Sequence, residues 1–292
     1  MGRNKSNIKI VFFGTPQYVL PILKALYKSF KVVGIVTQKP KPAGRKKILT
    51  YSPVDKWAHE RKLPTFYNSE ELIKNKINTK LGVLASYGAI IPKKVIDFFP
   101  CGILNVHPSL LPKFRGASPV QATINSRERQ TGVSIIKLDE EVDHGPIISQ
   151  FKEEVLTDDT TETLRQRLFE RSAEVLSALI EPYVKGKITP RKQDHKAATY
   201  TKLITKQDAF IKPKNLKKAL EGKSAEKIEA FIRAMKPWPI AWTYVQLNSK
   251  RLKILKAHLE GKKLVLDEVQ MEGKNPVSWK QFRQGYPNVT FE

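Results

Sequence analysis

Short, mainly apolar runs alternate with amphipathic stretches over the first two thirds of the chain. Ile8–Phe13, Val32–Thr37, Leu81–Ala85 and Ile103–Val106 are such runs, followed by Gly14, Gln38, Ser86 and His107. Runs of this length without polar alternation suit strands buried on both faces. Thr131–Lys137 and Pro146–Glu153 read as two more strands, and Pro64 begins a further strand-like step. Between them, helical spacing runs from Pro16 to about Ser29, with Thr15 as a candidate cap, and from Ser52 to about Lys62. Further helices open at Ser69, Lys93 and Ser118, and a long one spans Thr160 to about Lys185 with i, i+4 charge pairs. Strand–helix alternation of this kind predicts an α/β fold, a doubly wound Rossmann-like parallel sheet.

The pattern changes after residue 187. Residues 188–206 have mixed polarity, a proline at 190 and weak periodicity, which reads as a linker. Two charged helices are expected at 213–221 and 224–235, then Met235-Lys236-Pro237-Trp238-Pro239-Ile240-Ala241-Trp242, where Trp238 between two prolines makes a rigid apolar corner. Short strands are expected at 242–247, 252–257 and 263–269, and a last helix over 279–286. The expected organisation is a first domain over 1–187, the linker 188–206 and a small second domain over 207–292.

Composition narrows the class. Hydrophobic residues make up 40% of 292 residues, and no apolar run approaches the roughly 20 residues that span a bilayer. Seven residues precede the first strand, too few for a signal or transit peptide, so a cytoplasmic protein without membrane partners is expected. A single cysteine, Cys101, excludes an internal disulfide or a cysteine-cluster metal site. The net charge of +24 is shared: residues 1–206 carry 35 Lys/Arg against 19 Asp/Glu, and residues 207–292 carry 17 against 9. A basic field spread over the whole body raises the encounter rate with polyanions such as nucleic acid. The densest patch is Gln38–Lys47, with five cations and two prolines, read as an exposed, semi-stiff basic loop at the carboxyl end of the second strand.

Candidate chemistry centres on Gly102-Ile103-Leu104-Asn105-Val106-His107-Pro108 and on Asp143-His144-Gly145. Asn105 and His107 are two apart on an extended segment and face one side. They lie at a strand's carboxyl end, where open α/β sheets bind ligands. Gly145 permits close backbone approach. Taken singly, Asn105 reads as a loop cap, His107 as a satisfied core histidine and Asp143 as a turn residue. Together they suit acyl or formyl transfer: an amide donor for an oxyanion, an imidazole for proton movement, and a carboxylate to orient the imidazole. His144 is the runner-up imidazole, expected at the surface. Arg115 is expected to face a phosphate or a carboxylate.

The spaced residues Asn105-Val106-His107-x-Ser109-Leu110-Leu111-Pro112, Arg115-Gly116-Ala117, Thr131-Gly132-Val133 and Asp143-x-Gly145 resemble the signature of the 10-formyltetrahydrofolate-dependent formyltransferases. The resemblance is strongest to those members that act on transfer RNA, and it runs from Ile8 to about Lys256. It implies Asn105, His107 and Asp143 as catalytic residues. Ser109, Leu110, Leu111, Pro112, Tyr87 and Gly88 would bind the folate co-substrate, 10-formyltetrahydrofolate, with no metal. Lys41, Arg45, Lys46 and Lys47, in a loop similar to the family's Pro-Ala-Gly-Arg insertion, would grip the acceptor arm of methionyl initiator transfer RNA, the protein acting as a monomer. The second domain would be a small OB-like β-barrel that also binds the transfer RNA. Two departures stand out: Pro108 replaces the usual glycine, and a strand pair is missing between Glu260 and Lys263, so the barrel is shortened.

Two other readings compete. The same chemistry could serve an amino sugar nucleotide or glycinamide ribonucleotide, against which stand the basic loop and the charge. A non-enzymatic RNA-binding remnant of the fold is opposed by the intact Asn105, His107 and Asp143.

Overall fold

In a computed structural model, which describes residues 5–44, 47–245 and 250–291, the apolar runs assemble one seven-stranded sheet. Its spatial order is Ile147–Glu154, Gln130–Lys137, Ile103–His107, Leu81–Ala85, Ser6–Gly14, Phe30–Val36 and Thr65–Phe66. The pairs from Ile103–His107 to Thr65–Phe66 are parallel, and Gln130–Lys137 joins antiparallel. Consecutive residues of the central strand point to opposite faces, yet Ile10, Val11, Phe12 and Phe13 are all fully buried. Both faces are therefore covered, which is why these strands show no polar alternation. On one face Val11 and Phe13 pack with Val36, Leu72, Tyr87, Ile91 and Phe99.

Helices Leu20–Ser29, Pro53–His59 and Thr161–Val184 each bury an apolar stripe or row. Ser52 caps Pro53–His59 by accepting the Asp55 amide at 3.0 Å. Thr15 is not a cap. Its hydroxyl donates to the Tyr87 carbonyl (2.9 Å) and accepts the Gln38 amide (3.4 Å), so it ties together the segments that leave three adjacent parallel strands.

The basic loop contains regular structure that its composition hid. Lys41–Ala43 pairs antiparallel with Ile48–Thr50, and Gly44 (φ +70°) turns between them. Strands of three residues are too short for a period to show. Arg45 and Lys46 lie outside the described residues, as do residues 246 and 247 of the expected 242–247 strand.

Contacts divide the chain into two units that are not contiguous in sequence. The first is residues 1–115, 132–153 and 165–199; the second is 116–131, 154–164 and 200–292. Residues 188–199 of the 188–206 stretch thus belong to the first unit, where Gln193 is buried and Thr199 donates its amide to the Pro112 carbonyl.

The second unit is built on a four-stranded antiparallel sheet in the order Trp242–Tyr244, Arg251–Glu260, Lys263–Met271 and Val277–Ser278. Helices Pro213–Leu220 and Ala225–Ala234 supply Leu216, Ala219 and Ile232 to a core with Leu252, Ile254, Leu266 and Val269. The final helix, Trp279–Gly285, is started by a capping box between Ser278 and Gln281. At the point where the sequence predicts a missing strand pair, Glu260 pairs directly with Lys263 across Gly261 (φ +57°), a two-residue hairpin. Among the described residues, no helix is long and apolar enough to cross a membrane.

Candidate active site

The strand Ile103–His107 is buried along its whole length and ends beside the loops that follow its parallel neighbours. Register pairing sets Asn105 opposite Ile136 and His107 opposite Ser134 on the antiparallel side. Asn105 and His107 therefore reach the same side of the sheet's carboxyl edge.

Asp143 meets both of them. Asn105 Nδ2 donates to Asp143 Oδ1 at 2.9 Å, and His107 Nδ1 lies 3.3 Å from Asp143 Oδ2. A carboxylate only accepts, so the Asn105 amide must turn its nitrogen toward Asp143. All three side chains are buried. The second ring nitrogen of His107, Nε2, is 2.9 Å from the Phe114 carbonyl oxygen. The imidazole is thus held at both ends, by a carboxylate and by a backbone carbonyl.

The loop that carries Asp143 is shaped by two backbone features. Asp143 sits at φ +51°, a left-handed conformation that Asp tolerates better than most residues. Gly145 lies so close to the neighbouring strand that an added Cβ would come within 1.8 Å of the Lys137 carbonyl oxygen. The expectation that this glycine serves close backbone approach is met.

Gln193 and Arg115 hold that loop from behind. Gln193 Nε2 donates to the carbonyls of Asp143 (2.9 Å) and Gly145 (2.7 Å). Its Oε1 accepts Arg115 Nη2 (2.7 Å) and Nε (3.2 Å). Arg115 Nη2 also donates to His195 Nδ1 at 2.9 Å. The Arg115 side chain is 1% exposed, and Gln193 and His195 are among its partners behind the Asp143 loop. His144, expected at the surface, stacks on His195 with centroids 3.9 Å apart, and its Nδ1 bonds Asp139 Oδ2 at 2.7 Å. The sequence offered no signal for Gln193 or His195, which lie in the aperiodic 188–206 stretch.

The Ser109–Pro112 loop is rigidly supported. Ser134 Oγ donates to the Ser109 carbonyl (2.7 Å) and accepts the Leu111 amide (2.9 Å). Gln150 Nε2 donates to the Leu111 carbonyl (3.1 Å) and to Ser134 Oγ (2.8 Å). The Ser109 hydroxyl donates to the Lys113 carbonyl at 2.6 Å. Ser109 and Leu111 are buried, while Leu110 and Pro112 are half-buried. Leu110 touches the space above Gly132, where an added Cβ would lie 2.6 Å from Leu110 Cδ2 and 1.9 Å from the Phe151 carbonyl.

Tyr87 and Gly88 follow the adjacent strand Leu81–Ala85. The Tyr87 ring packs edge-on against Phe13 in the core, and burial, with a smaller push from Glu71, raises its phenol above the ordinary value. Its side chain is a packing element; its carbonyl is what faces Thr15 and Gln38. Gly88 (φ +83°) is exposed, as is Ile90 two residues on. Lys41 and Lys47 are exposed on the basic hairpin. Among the described residues, no cluster of His, Cys, Asp or Glu has a metal-binding arrangement.

Set against known proteins, residues 8–180 match the family model described as formyl transferase, and residues 220–263 match the formyl transferase C-terminal domain. A methionyl-tRNA formyltransferase from Buchnera aphidicola subsp. Schizaphis graminum is 38% identical over 82% of this chain and 76% of its own length. Among solved structures, the methionyl-tRNA formyltransferase from Clostridium thermocellum is similar in fold, with a TM-score of 0.60 and 19% identity over 90% of this chain and 98% of that one. A 4-N formyltransferase from Francisella tularensis has a TM-score of 0.67 and 20% identity over 87% of this chain and 98% of its own. The fold likeness spans enzymes with different acceptors, so the acceptor must be argued from elsewhere.

Proposed function

Because this chain belongs to the formyl transferase family, we propose that it transfers the formyl group of 10-formyltetrahydrofolate to the α-amine of methionyl initiator transfer RNA. The observation that supports the chemistry is the Asp143 carboxylate shared between Asn105 and His107 at a strand's carboxyl end. The acceptor is supported by the 38% identity to a methionyl-tRNA formyltransferase, together with the net charge of +24.

The free amine attacks the formyl carbon, and the carbonyl oxygen takes up negative charge. Asn105 donates its second amide N–H to that oxygen, its first being held by Asp143. His107 exchanges the Phe114 carbonyl for the reacting groups, so that Nε2 donates to the oxyanion and then passes a proton to the folate N10. The bond from carbon to N10 breaks, the amide forms, and the proton lost by the amine balances the one gained by N10. Asp143 fixes the ring orientation and stabilises its charged form.

The folate lies against Leu110 and the Ser109–Pro112 loop, which Ser134 and Gln150 hold in place, and against the exposed Gly88 turn. The core position of the Tyr87 ring supports a scaffold role there rather than direct contact. Lys41 and Lys47, with Arg45 and Lys46, give the basic hairpin its grip on acceptor-arm phosphates. The protein works in the cytoplasm as a monomer.

The test is formylation of methionyl initiator transfer RNA with 10-formyltetrahydrofolate, wild type beside His107→Ala. Transfer that falls by roughly 10²–10⁴-fold in the variant bears the reading out. Transfer only to a small amine would leave the chemistry and remove the acceptor. Unchanged turnover in His107→Ala would overturn the mechanism.

A further inference from the structure

The Met235–Trp242 corner in the second unit has no role in the chemistry above. Three of the four tryptophans are engaged: Trp57 with Tyr27 and Arg61, Trp242 with Phe210, Tyr244 and Arg251, and Trp279 with Phe282. Trp238 is different. It is 52% exposed and has no ring or cation partner among the described residues. An indole left in water without a partner is an unusual use of the largest apolar side chain.

Its surroundings are concave and basic. Trp238, Pro239, Ile240 and Met271 form the apolar part of a cavity of about 520 Å³, within the range that holds a small ligand. Lys206, Arg251 and Lys253 stand around it with one acid, Glu272. Arg251 and Lys253 alternate with buried Leu252 along one strand, so both point to the same face. Lys253 pairs with Trp242 across the sheet, and Arg251 lies over the Trp242 ring at 5.0 Å from its centroid. The ring contact holds the Arg251 guanidinium in place. Ile240 adopts φ +69°, costly for a β-branched residue, and its amide is tied to the Met235 carbonyl at 2.8 Å. Strain of this kind persists only where the surrounding structure enforces it, and it clusters at binding sites.

We propose that this cavity binds one unpaired nucleotide of RNA, with the base stacked on Trp238 and its phosphates met by Lys206, Arg251 and Lys253. A planar base fits a bare indole face, and three cations to one acid suit phosphate better than a protein acid or a sugar. In duplex RNA the bases are stacked on each other and hidden, so the site selects single-stranded or flipped-out nucleotides. The identity of the RNA as the acceptor rests on the proposed function; the stacking site itself does not.

The experiment measures binding of a mixed-sequence single-stranded RNA nonamer and of a blunt RNA duplex to the full chain, for wild type, Trp238→Leu and Trp238→Phe. Stacking predicts that Trp238→Leu loses about tenfold or more for the nonamer, keeps duplex affinity, and that Trp238→Phe retains most of the nonamer affinity. It also predicts quenching of tryptophan fluorescence by the nonamer that is missing in both variants. Lys253→Ala, at an exposed strand position, should weaken nonamer binding and flatten its salt dependence. Wild-type nonamer affinity in Trp238→Leu would overturn the proposal. So would an equal loss for duplex and nonamer, or an equal loss in Leu and Phe variants with matched melting curves. Because no formyl transfer is measured, these outcomes separate from failure of the acceptor assignment, which formylation of the transfer RNA decides.

Discussion

The Asp143 site and the basic hairpin both serve the carboxyl edge of one sheet, but they are built in opposite ways. Asn105, His107 and Asp143 are buried and hydrogen-bonded to one another, and Gln193 and Arg115 hold the Asp143 loop from behind. Lys41 and Lys47 are exposed on a hairpin of two three-residue strands, beside Ile48 and Leu49, which are also exposed. The first arrangement is largely preorganised: Asp143 fixes Asn105 and the Nδ1 side of His107 beforehand, and under the proposed mechanism only Nε2 has to change its partner, from the Phe114 carbonyl to the substrate. The second is an exposed charge array, which under the proposed function raises encounter and affinity with a polyanion and sets no geometry. Substitutions in the first should therefore act on turnover, and those in the second on affinity and salt dependence.

The largest effect is expected from Asp143→Asn. The carboxylate accepts from Asn105 and His107 at once, and an amide of the same size can accept at only one of those places. The imidazole loses its orientation and the partner for its charged form. Turnover should fall by roughly 10³–10⁴-fold, with KM for either substrate little changed and the fold intact by circular dichroism. A matching rise in KM would mean that Asp143 binds substrate instead of positioning His107.

Next comes Gln193→Leu, which leaves the Asp143 and Gly145 carbonyls and the Arg115 guanidinium without this partner. Stability should fall by about 1–3 kcal/mol in a urea titration. Turnover should fall by about 10–100-fold, because the loop shifts and the catalytic geometry is sensitive to displacements near 1 Å. Gln193→Glu sharpens the result: it keeps an acceptor for Arg115 and loses both donors to the loop. If Glu restores activity, Arg115 placement matters more than the loop contacts.

Gly132→Ala probes the support under Leu110. Its Cβ would sit 1.9 Å from a backbone carbonyl that cannot step aside easily. A cost of about 1–3 kcal/mol in unfolding free energy is expected, with weaker folate binding as Leu110 is displaced. Wild-type folate affinity in a destabilised variant would show that the Ser109–Pro112 loop does not contact the co-substrate.

How much of this was legible in the sequence follows the same division. Ile10–Phe13 announced a central strand because burial on both faces removes polar alternation. Asn105 and His107 were visible because a two-residue spacing on a strand fixes a common side, and Asp143 because its resemblance lay in a local motif. Gln193 was hidden: it acts 50 residues away from Asp143 in a stretch with no period, and only tertiary contact brings it there. The contacts of Arg115 with Gln193 and His195 were hidden as well, because an exposed arginine and a buried one look alike in one dimension. Thr15 has the look of a helix cap, and only the folded chain shows its hydroxyl bridging Tyr87 and Gln38.

The smallest effect separates the two regions most cleanly. Lys41→Ala combined with Lys47→Ala removes two exposed charges from the hairpin and leaves its backbone pairing, Lys41 with Thr50 and Ala43 with Ile48, in place. If each lysine meets one phosphate, KM for transfer RNA should rise severalfold at low salt. The slope of log affinity against log salt should then flatten by up to about two. Turnover at saturating transfer RNA should stay near wild type, since neither lysine touches the Asn105–His107–Asp143 network. A small-amine acceptor should be formylated equally well by the variant, because it carries no phosphates to lose. A drop in saturated turnover would break the division, since it would mean that the hairpin sets the angle at which the amine reaches the formyl carbon. The basic loop would then be part of the preorganised site, and the exposure of its lysines would describe only the protein awaiting its acceptor.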